Sequence, residues 1–134
     1  METPKEIALH VMEKDDNHSD GKLQSIRHLM MCARMTQEGV FQREREISFY
    51  EHRKLLNQQL IESDNEALIL LNAKTIVSQV LYETDIPSKN DVQAVETYKK
   101  VVDEYSHYLK VLSLSDPLTP ETPVDRGRRS SGGF

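Results

Sequence analysis

The chain has 134 residues, room for one small domain, and carries 17 basic against 22 acidic side chains, for a formal net charge of −5. This balance does not supply the clustered positive field that a phosphate backbone or an anionic membrane surface requires, so nucleic acid is disfavoured as a main ligand. No apolar run reaches the roughly 18 residues of a membrane span, and we expect no membrane insertion.

A single cysteine, Cys32, cannot form a disulfide within the chain. Together with the lack of a secretory signal pattern, this predicts a reducing compartment, the cytoplasm or the nucleus. Because both ends look poor in core-forming residues, the expected core is small and only marginally stable alone. Assembly with other subunits is therefore the expectation from composition.

Residues 1–20 carry two basic and six acidic side chains, which gives this segment a net charge of −4. Ile7 and Val11 form an apolar pair one turn apart, so a short helix is one interpretation. The other is a solvated acidic arm, because so little apolar surface is available to offset the entropy of ordering. We expect the arm.

Residues 22–61 contain no proline and only one glycine, Gly39, which predicts one long helix. Its early part carries an apolar stripe at helical spacing: Leu23, Ile26, Met30, Ala33 and Val40. The stripe weakens after Val40, where Glu44 and Glu51 occupy positions that the early register assigns to apolar side chains. Either the register shifts near Gly39, or the stripe is partly solvated there.

Ser63-Asp-Asn-Glu66 has the form of a capping box, which predicts a turn and a new helix. A single helix from about residue 20 to residue 84 is the alternative, since no Gly or Pro occurs between Val40 and Ile86. The segment 67–81 is the most apolar of the chain and is expected to be buried on several sides. Pro87 ends it, and Ser88 with Asp91 forms a second capping box.

The segment from Asp91 to Leu112 has apolar side chains at alternating spacings of three and four residues, a heptad pattern typical of a coiled coil. The six residues of this seam are the predicted protein-interaction residues: Val95, Tyr98, Val102, Tyr105, Leu109 and Leu112. They are expected to meet either Leu70, Val77 and Leu81 or equivalent residues of a partner. Tyrosine hydroxyls favour wet surroundings, so Tyr98 and Tyr105 fit a partly open seam as well as a closed core.

Residues 114–134 are rich in proline, serine and arginine, which predicts a disordered tail. Thr119 and Thr122 each precede a proline, and Ser131 follows a pair of arginines. These three are candidate phosphorylation sites, and each phosphate would add about −1.5 to −2 charge. The chain lacks a strand-like alternation. The expected fold is all-α, a long helical hairpin or three-helix coiled-coil bundle over residues 21–113 with disordered termini.

Patterns that carry catalysis are weak in this sequence. Glu104 and His107 have the Glu-x-x-His spacing of di-iron bundles, but they point away from the predicted seam and lack a second pair. His28 and Cys32 lie one turn apart, as two zinc ligands can, but nothing supplies the remaining ligands. Without a phosphate loop, a serine elbow or a Cys-x-x-Cys pair, we expect no enzyme, no metal, no cofactor and no small-molecule substrate.

The leading interpretation is a non-enzymatic helical coiled-coil subunit or adaptor of an intracellular multiprotein assembly, which acts by helix–helix packing. Its expected partners are other helical proteins in a hetero-oligomer. The alternative is a nucleic-acid- or chromatin-associated accessory factor that uses a basic stretch and the arginine tail. The basic side chains of that stretch, which alternate with glutamates, are Arg43, Arg45, Arg53 and Lys54.

Overall fold

The computed structural model describes residues 2–114, and within them every regular element is an α-helix. The all-α prediction is confirmed. The four helices, in chain order, are α1 (Pro4–Cys32), α2 (Gln37–Ser63), α3 (Glu66–Glu83) and α4 (Val92–Ser113). In the described part of the chain, none is long and apolar enough to cross a membrane. Thr119, Thr122 and Ser131 lie outside the described residues.

The first helix begins much earlier than the sequence suggests. Thr3 caps α1 by accepting a hydrogen bond from the amide of Glu6, and the Glu6 carboxylate accepts one from the Thr3 amide in return. Pro4 follows the cap, where its fixed φ suits a first turn. The boundary expected near residue 20 therefore falls inside a helix.

The solvated acidic arm expected for residues 1–20 is replaced by part of the core. Ala8 and Met12 join Ile7 and Val11 on one face of α1, and all four are at most 1% exposed. Two residues flanking the apolar pair thus widen the stripe, and α3 and α4 supply the apolar surface that covers it. Local composition could not reveal this, because the covering helices come from the far end of the chain.

The single helix expected over residues 22–61 is interrupted at residues 33–36. α1 ends at Cys32, and Thr36 caps α2 by accepting a hydrogen bond from the amide of Gly39 at 3.1 Å. The apolar stripe weakens after this point because the chain has reversed direction and presents a different face. The irregularity that the sequence places near Gly39 is the helix–helix connection a few residues earlier, and Gly39 itself lies in the first turn of α2.

The turn expected at residues 63–66 is present, with a different capping residue. Asn65 caps α3 by accepting from the amide of Leu68 at 3.2 Å, while Asp64 adopts a left-handed conformation with φ of 52°. The Ser63 hydroxyl instead donates to the Leu60 carbonyl at the end of α2. The next turn also has a capping residue a few positions later than the sequence predicts, since Asp91 caps α4 and Ser88 precedes the cap.

The core is built mainly by α1, α3 and α4. Lys14 pairs with Glu104 and the His10 ring contacts Tyr108, so α1 and α4 run antiparallel. One buried cluster unites these three helices, with these members: Ile7, Ala8, Val11, Met12, Ile69, Ala73, Ile76, Val77, Tyr108 and Leu112. The fully buried residue that α2 contributes is polar, Asn57. α2 is therefore attached to the bundle in a different way from the other helices.

Candidate functional site

A groove separates α2 from α3. α2 packs mainly against α1 and makes few contacts with α3, which leaves about 550 Å³ of open volume between the two helices. Phe49 and Leu56 line its α2 wall, and Thr75 and Ile76 line its α3 wall. The buried Asp15 of α1 lies at its base. The groove thus combines apolar walls with a polar base.

The exposed leucines of α3 extend the apolar walls, and we call the whole surface the α2–α3 face. Leu71 and Leu68 lie one and two turns before Thr75, so they share its side of α3. Large apolar side chains on this face are between 45% and 59% exposed: Phe49, Leu55, Leu56, Leu68 and Leu71. A folded monomer seldom leaves such a set uncovered, so the α2–α3 face is the main candidate interaction surface.

A buried hydrogen-bond network at the base of the groove holds α2 in place. The Asp15 carboxylate, 3% exposed, accepts two bonds from the Arg53 guanidinium, at 2.6 and 2.9 Å. The Asn57 amide group donates to both Asp15 and Asp16 at 2.9 Å, and its oxygen accepts from Asn72 at 2.9 Å. The network therefore joins α1, α2 and α3 through one asparagine, and every polar atom of that side chain is used.

Asp16 is the member of this network whose ionised form is disfavoured by its surroundings. Burial raises the pKa of its carboxyl above the usual value, and the neighbouring Asp15 charge acts in the same direction. The hydrogen bond from Asn57 opposes the shift without cancelling it. The ionised form of Asp16 is thus less stable in the folded protein than in water.

The basic stretch of α2 is largely engaged within the chain. Arg53 binds Asp15, Lys54 pairs with Asp20 of α1, and Arg43 pairs with Glu46 at 2.7 Å. The pairs of Arg53 and Lys54 attach α2 to α1, which is a structural use of both charges. They are therefore less available to phosphate groups than the sequence alone suggests.

The predicted seam of α4 is divided between core and surface. Leu112 is 1% exposed within the core cluster, and Tyr105 and Leu109 pack against that cluster. Val95, Tyr98 and Val102, in the first half of α4, are partly buried. The seam as an interaction surface remains a prediction, and the half from Tyr105 onward already packs inside the chain.

Tyr108 is the core residue of α4 that the heptad pattern misses. It is 6% exposed, and its hydroxyl donates to the Glu104 carboxylate at 2.7 Å. This bond, with the Lys14 ammonium at 3.2 Å, lowers the pKa of Glu104, while burial and the same bond raise the pKa of Tyr108. α4 carries apolar or aromatic side chains at two adjacent stripes, so periodicity alone could not choose between Tyr108 and Leu109.

The candidate metal ligands stay apart. Glu104 is engaged by Lys14 and Tyr108, and His107 is exposed. The Cys32 sulfur lies 3.6 Å from the Nε2 atom of His28 on the surface of α1. Within residues 2–114, His, Cys, Asp and Glu side chains form no group of three or more that could hold a metal ion.

A small helical bundle with an exposed apolar face is the class of protein that this fold and surface define. Comparison with known proteins adds no relative: no family model, curated protein or solved structure matches the chain.

Proposed function

We propose that this chain is a non-enzymatic helical subunit or adaptor of an intracellular multiprotein assembly, and that it acts by helix–helix packing. The observation that carries the proposal is the α2–α3 face, where Phe49, Leu56 and Leu71 are each about half exposed. Burying such side chains against a partner removes apolar surface from water, which is the main driving force of protein association.

The shape of the surface favours a helix as the partner element. Two antiparallel helices that diverge leave a lengthwise groove, and an amphipathic helix fills such a groove with side chains at i, i+3, i+4 and i+7. The walls offer leucine and phenylalanine, while Gln59 and Gln79, which also line the groove, can hydrogen-bond the partner. The first half of the α4 seam, with Val95, Tyr98 and Val102, is the second surface we assign to assembly.

Co-purification from the protein's own cells tests this function. The tagged chain is compared with a variant carrying Leu56→Glu and Leu71→Glu, which places two charges on the α2–α3 face. The matched control carries Met31→Glu and Ile86→Glu, at positions 84% and 82% exposed and outside both surfaces assigned to assembly. We expect helical proteins to co-purify at stoichiometric amounts with the wild type and the control, and to be lost from the variant.

The same set of co-purifying proteins on all three chains would contradict the proposal, as would no stoichiometric protein on the wild type, where an untagged copy of the chain itself counts as one. Circular dichroism of each purified chain separates loss of binding from loss of fold. The double variant is expected to stay helical, because the two leucines lie outside the buried core cluster.

A further inference from the structure

We propose that the α2–α3 face is covered by the same face of a second copy of this chain, which gives a two-fold symmetric dimer. This inference rests on the proposed function and names the first partner in it. Three features of the molecule support it: the charge of the residues lining the groove, the exposed apolar area, and the relative position of α2 and α3.

The polar residues at the groove suit contact with an identical surface. They are His52, Asn57, Gln59, Asn72, Thr75 and Gln79, together with Arg53 and Asp15. The Arg53 charge is already paired with buried Asp15, and the others are amides, a hydroxyl and an imidazole. In a two-fold contact each patch meets itself, so a strongly charged patch would face its own charge and repel. The residues lining this groove avoid that penalty.

The exposed apolar area is a large part of what a dimer requires. Five large side chains, each about half exposed, amount to roughly 300–500 Å² if each has about 120–200 Å² of surface. A standard stable interface buries about 800 Å² on each partner. Homodimer interfaces are about 65% apolar, which is about 520 Å² of that area. The face supplies more than half of the apolar part by itself.

The relative position of α2 and α3 also determines which residues face each other in the dimer. Asn57 and Asn72 are hydrogen-bonded across the groove, so their chain neighbours Leu56 and Leu71 lie at one level. A two-fold axis parallel to the groove leaves the position of each residue along the helix axes unchanged. It places α2 of one copy against the partner's α3. Leu56 then faces the partner's Leu71, and the same contact occurs twice in the dimer.

Light scattering of the purified full chain over a range of concentrations tests the dimer. We expect the mass to approach twice the 15.5 kDa of one chain, as it also does for the control variant with Met31→Glu and Ile86→Glu. The single variants Leu56→Glu and Leu71→Lys are each expected to shift toward the monomer mass. A wild-type chain that stays monomeric throughout would overturn the proposal.

Mixing the two single variants tests the pairing itself. A mixed dimer contains one Glu–Lys contact and one unchanged Leu–Leu contact, whereas each variant alone places two charges against leucine. We therefore expect the mixture to recover the dimer that each variant loses. Two variants that stay monomeric when mixed, while circular dichroism shows both folded, would overturn the assigned pairing.

The test also separates this inference from the proposed function. A monomeric wild type that still binds other helical proteins through an intact α2–α3 face would overturn the second copy and leave the function standing. A dimer that forms only after residues 115–134 are removed would make the chain's own tail the occupant and overturn the inference. A dimer unaffected by Leu56→Glu would place the interface elsewhere, which overturns it as well.

Discussion

Asn57 shows how a single polar residue can replace an apolar anchor. It is the buried residue of α2, it is 1% exposed, and its amide group binds groups on α1 and α3 together. An apolar residue at this position would remove the amide donor of Asp16 and the acceptor of the Asn72 amide, and it would leave Asp15 with the Arg53 guanidinium alone. Sequence patterns built on apolar periodicity cannot detect such an anchor, because the defining residue is polar.

Asn57→Leu is expected to destabilise the fold by about 2–3 kcal/mol, because buried polar partners are left unsatisfied. Urea unfolding followed by circular dichroism measures the change. The matched control is Gln58→Ala, on the adjacent exposed side of α2, where a change within about 0.5 kcal/mol is expected. Equal effects of the two substitutions would contradict the role assigned to Asn57.

Asp16→Asn is expected to increase stability at neutral pH. The pKa of Asp16 is raised in the folded protein, so the stability linked to its proton is complete below the unfolded value of 3.8 and is lost as the pH rises through the folded pKa. The asparagine oxygen still accepts from Asn57. The gain in the urea midpoint over wild type should shrink as the pH falls toward 3.8. A less stable variant at neutral pH would contradict this.

Glu104→Gln is expected to decrease stability at neutral pH. The pKa of Glu104 is lowered by the Tyr108 hydroxyl and the Lys14 ammonium, so its contribution to stability is present above the unfolded value of 4.5 and is lost as the pH falls through the folded pKa. The variant should be less stable than wild type at neutral pH, and the difference should vanish in acid. A pH-independent difference would show that the loss is steric.

At the scale of the helices, α2 is distinguished by how it is attached. Ion pairs connect it to α1, including Arg27 with Glu51 at 2.7 Å and Arg53 with Asp15, whereas α3 and α4 contact α1 through the apolar core. The exposed pair of Arg27 with Glu51 contributes little, and the buried pair of Arg53 with Asp15 must offset the cost of removing both charges from water, whereas apolar burial stabilises directly. α2 should therefore be the least stable of the four helices within the isolated chain.

Amide hydrogen exchange on the isolated chain measures this directly. We expect the amides in the middle of α2 to exchange through a partial opening at a lower free energy than those of α1 near Val11 and α3 near Val77. Assembly through the α2–α3 face should raise the protection of α2 most. Equal protection of all four helices in a monomeric variant would contradict the proposed weak attachment.

The sequence predicts the helices better than their limits. α3 and α4 are recognisable from periodicity, from Pro87 and from polar residues near their first turns. The break at residues 33–36 depends on Thr36, a single capping threonine without glycine or proline at the turn itself. The N-terminal half of α1 depends on cover from α3 and α4, and such long-range contacts leave no local signal.

On the scale of the whole molecule, the apolar side chains of the core are covered by other helices of the chain, whereas those of the α2–α3 face are exposed. The α1, α3 and α4 cluster is closed, while the α2–α3 face keeps its apolar side chains in contact with water in the single chain. The candidate site was not predictable from α2 alone, because Phe49, Leu55 and Leu56 lie in a stretch rich in charged and polar residues. It becomes recognisable only when the fold places Leu68 and Leu71 beside them.

The measurement that tests the central claim most directly is thiol labelling of the Leu71→Cys variant in extract of its own cells. Cys32 is exposed and serves as the internal reference within the same molecule. If the α2–α3 face is covered in the assembled protein, the thiol at position 71 should label much more slowly than Cys32, and Leu56→Glu should abolish this protection. Equal labelling of the two thiols, unchanged by Leu56→Glu, would contradict the account.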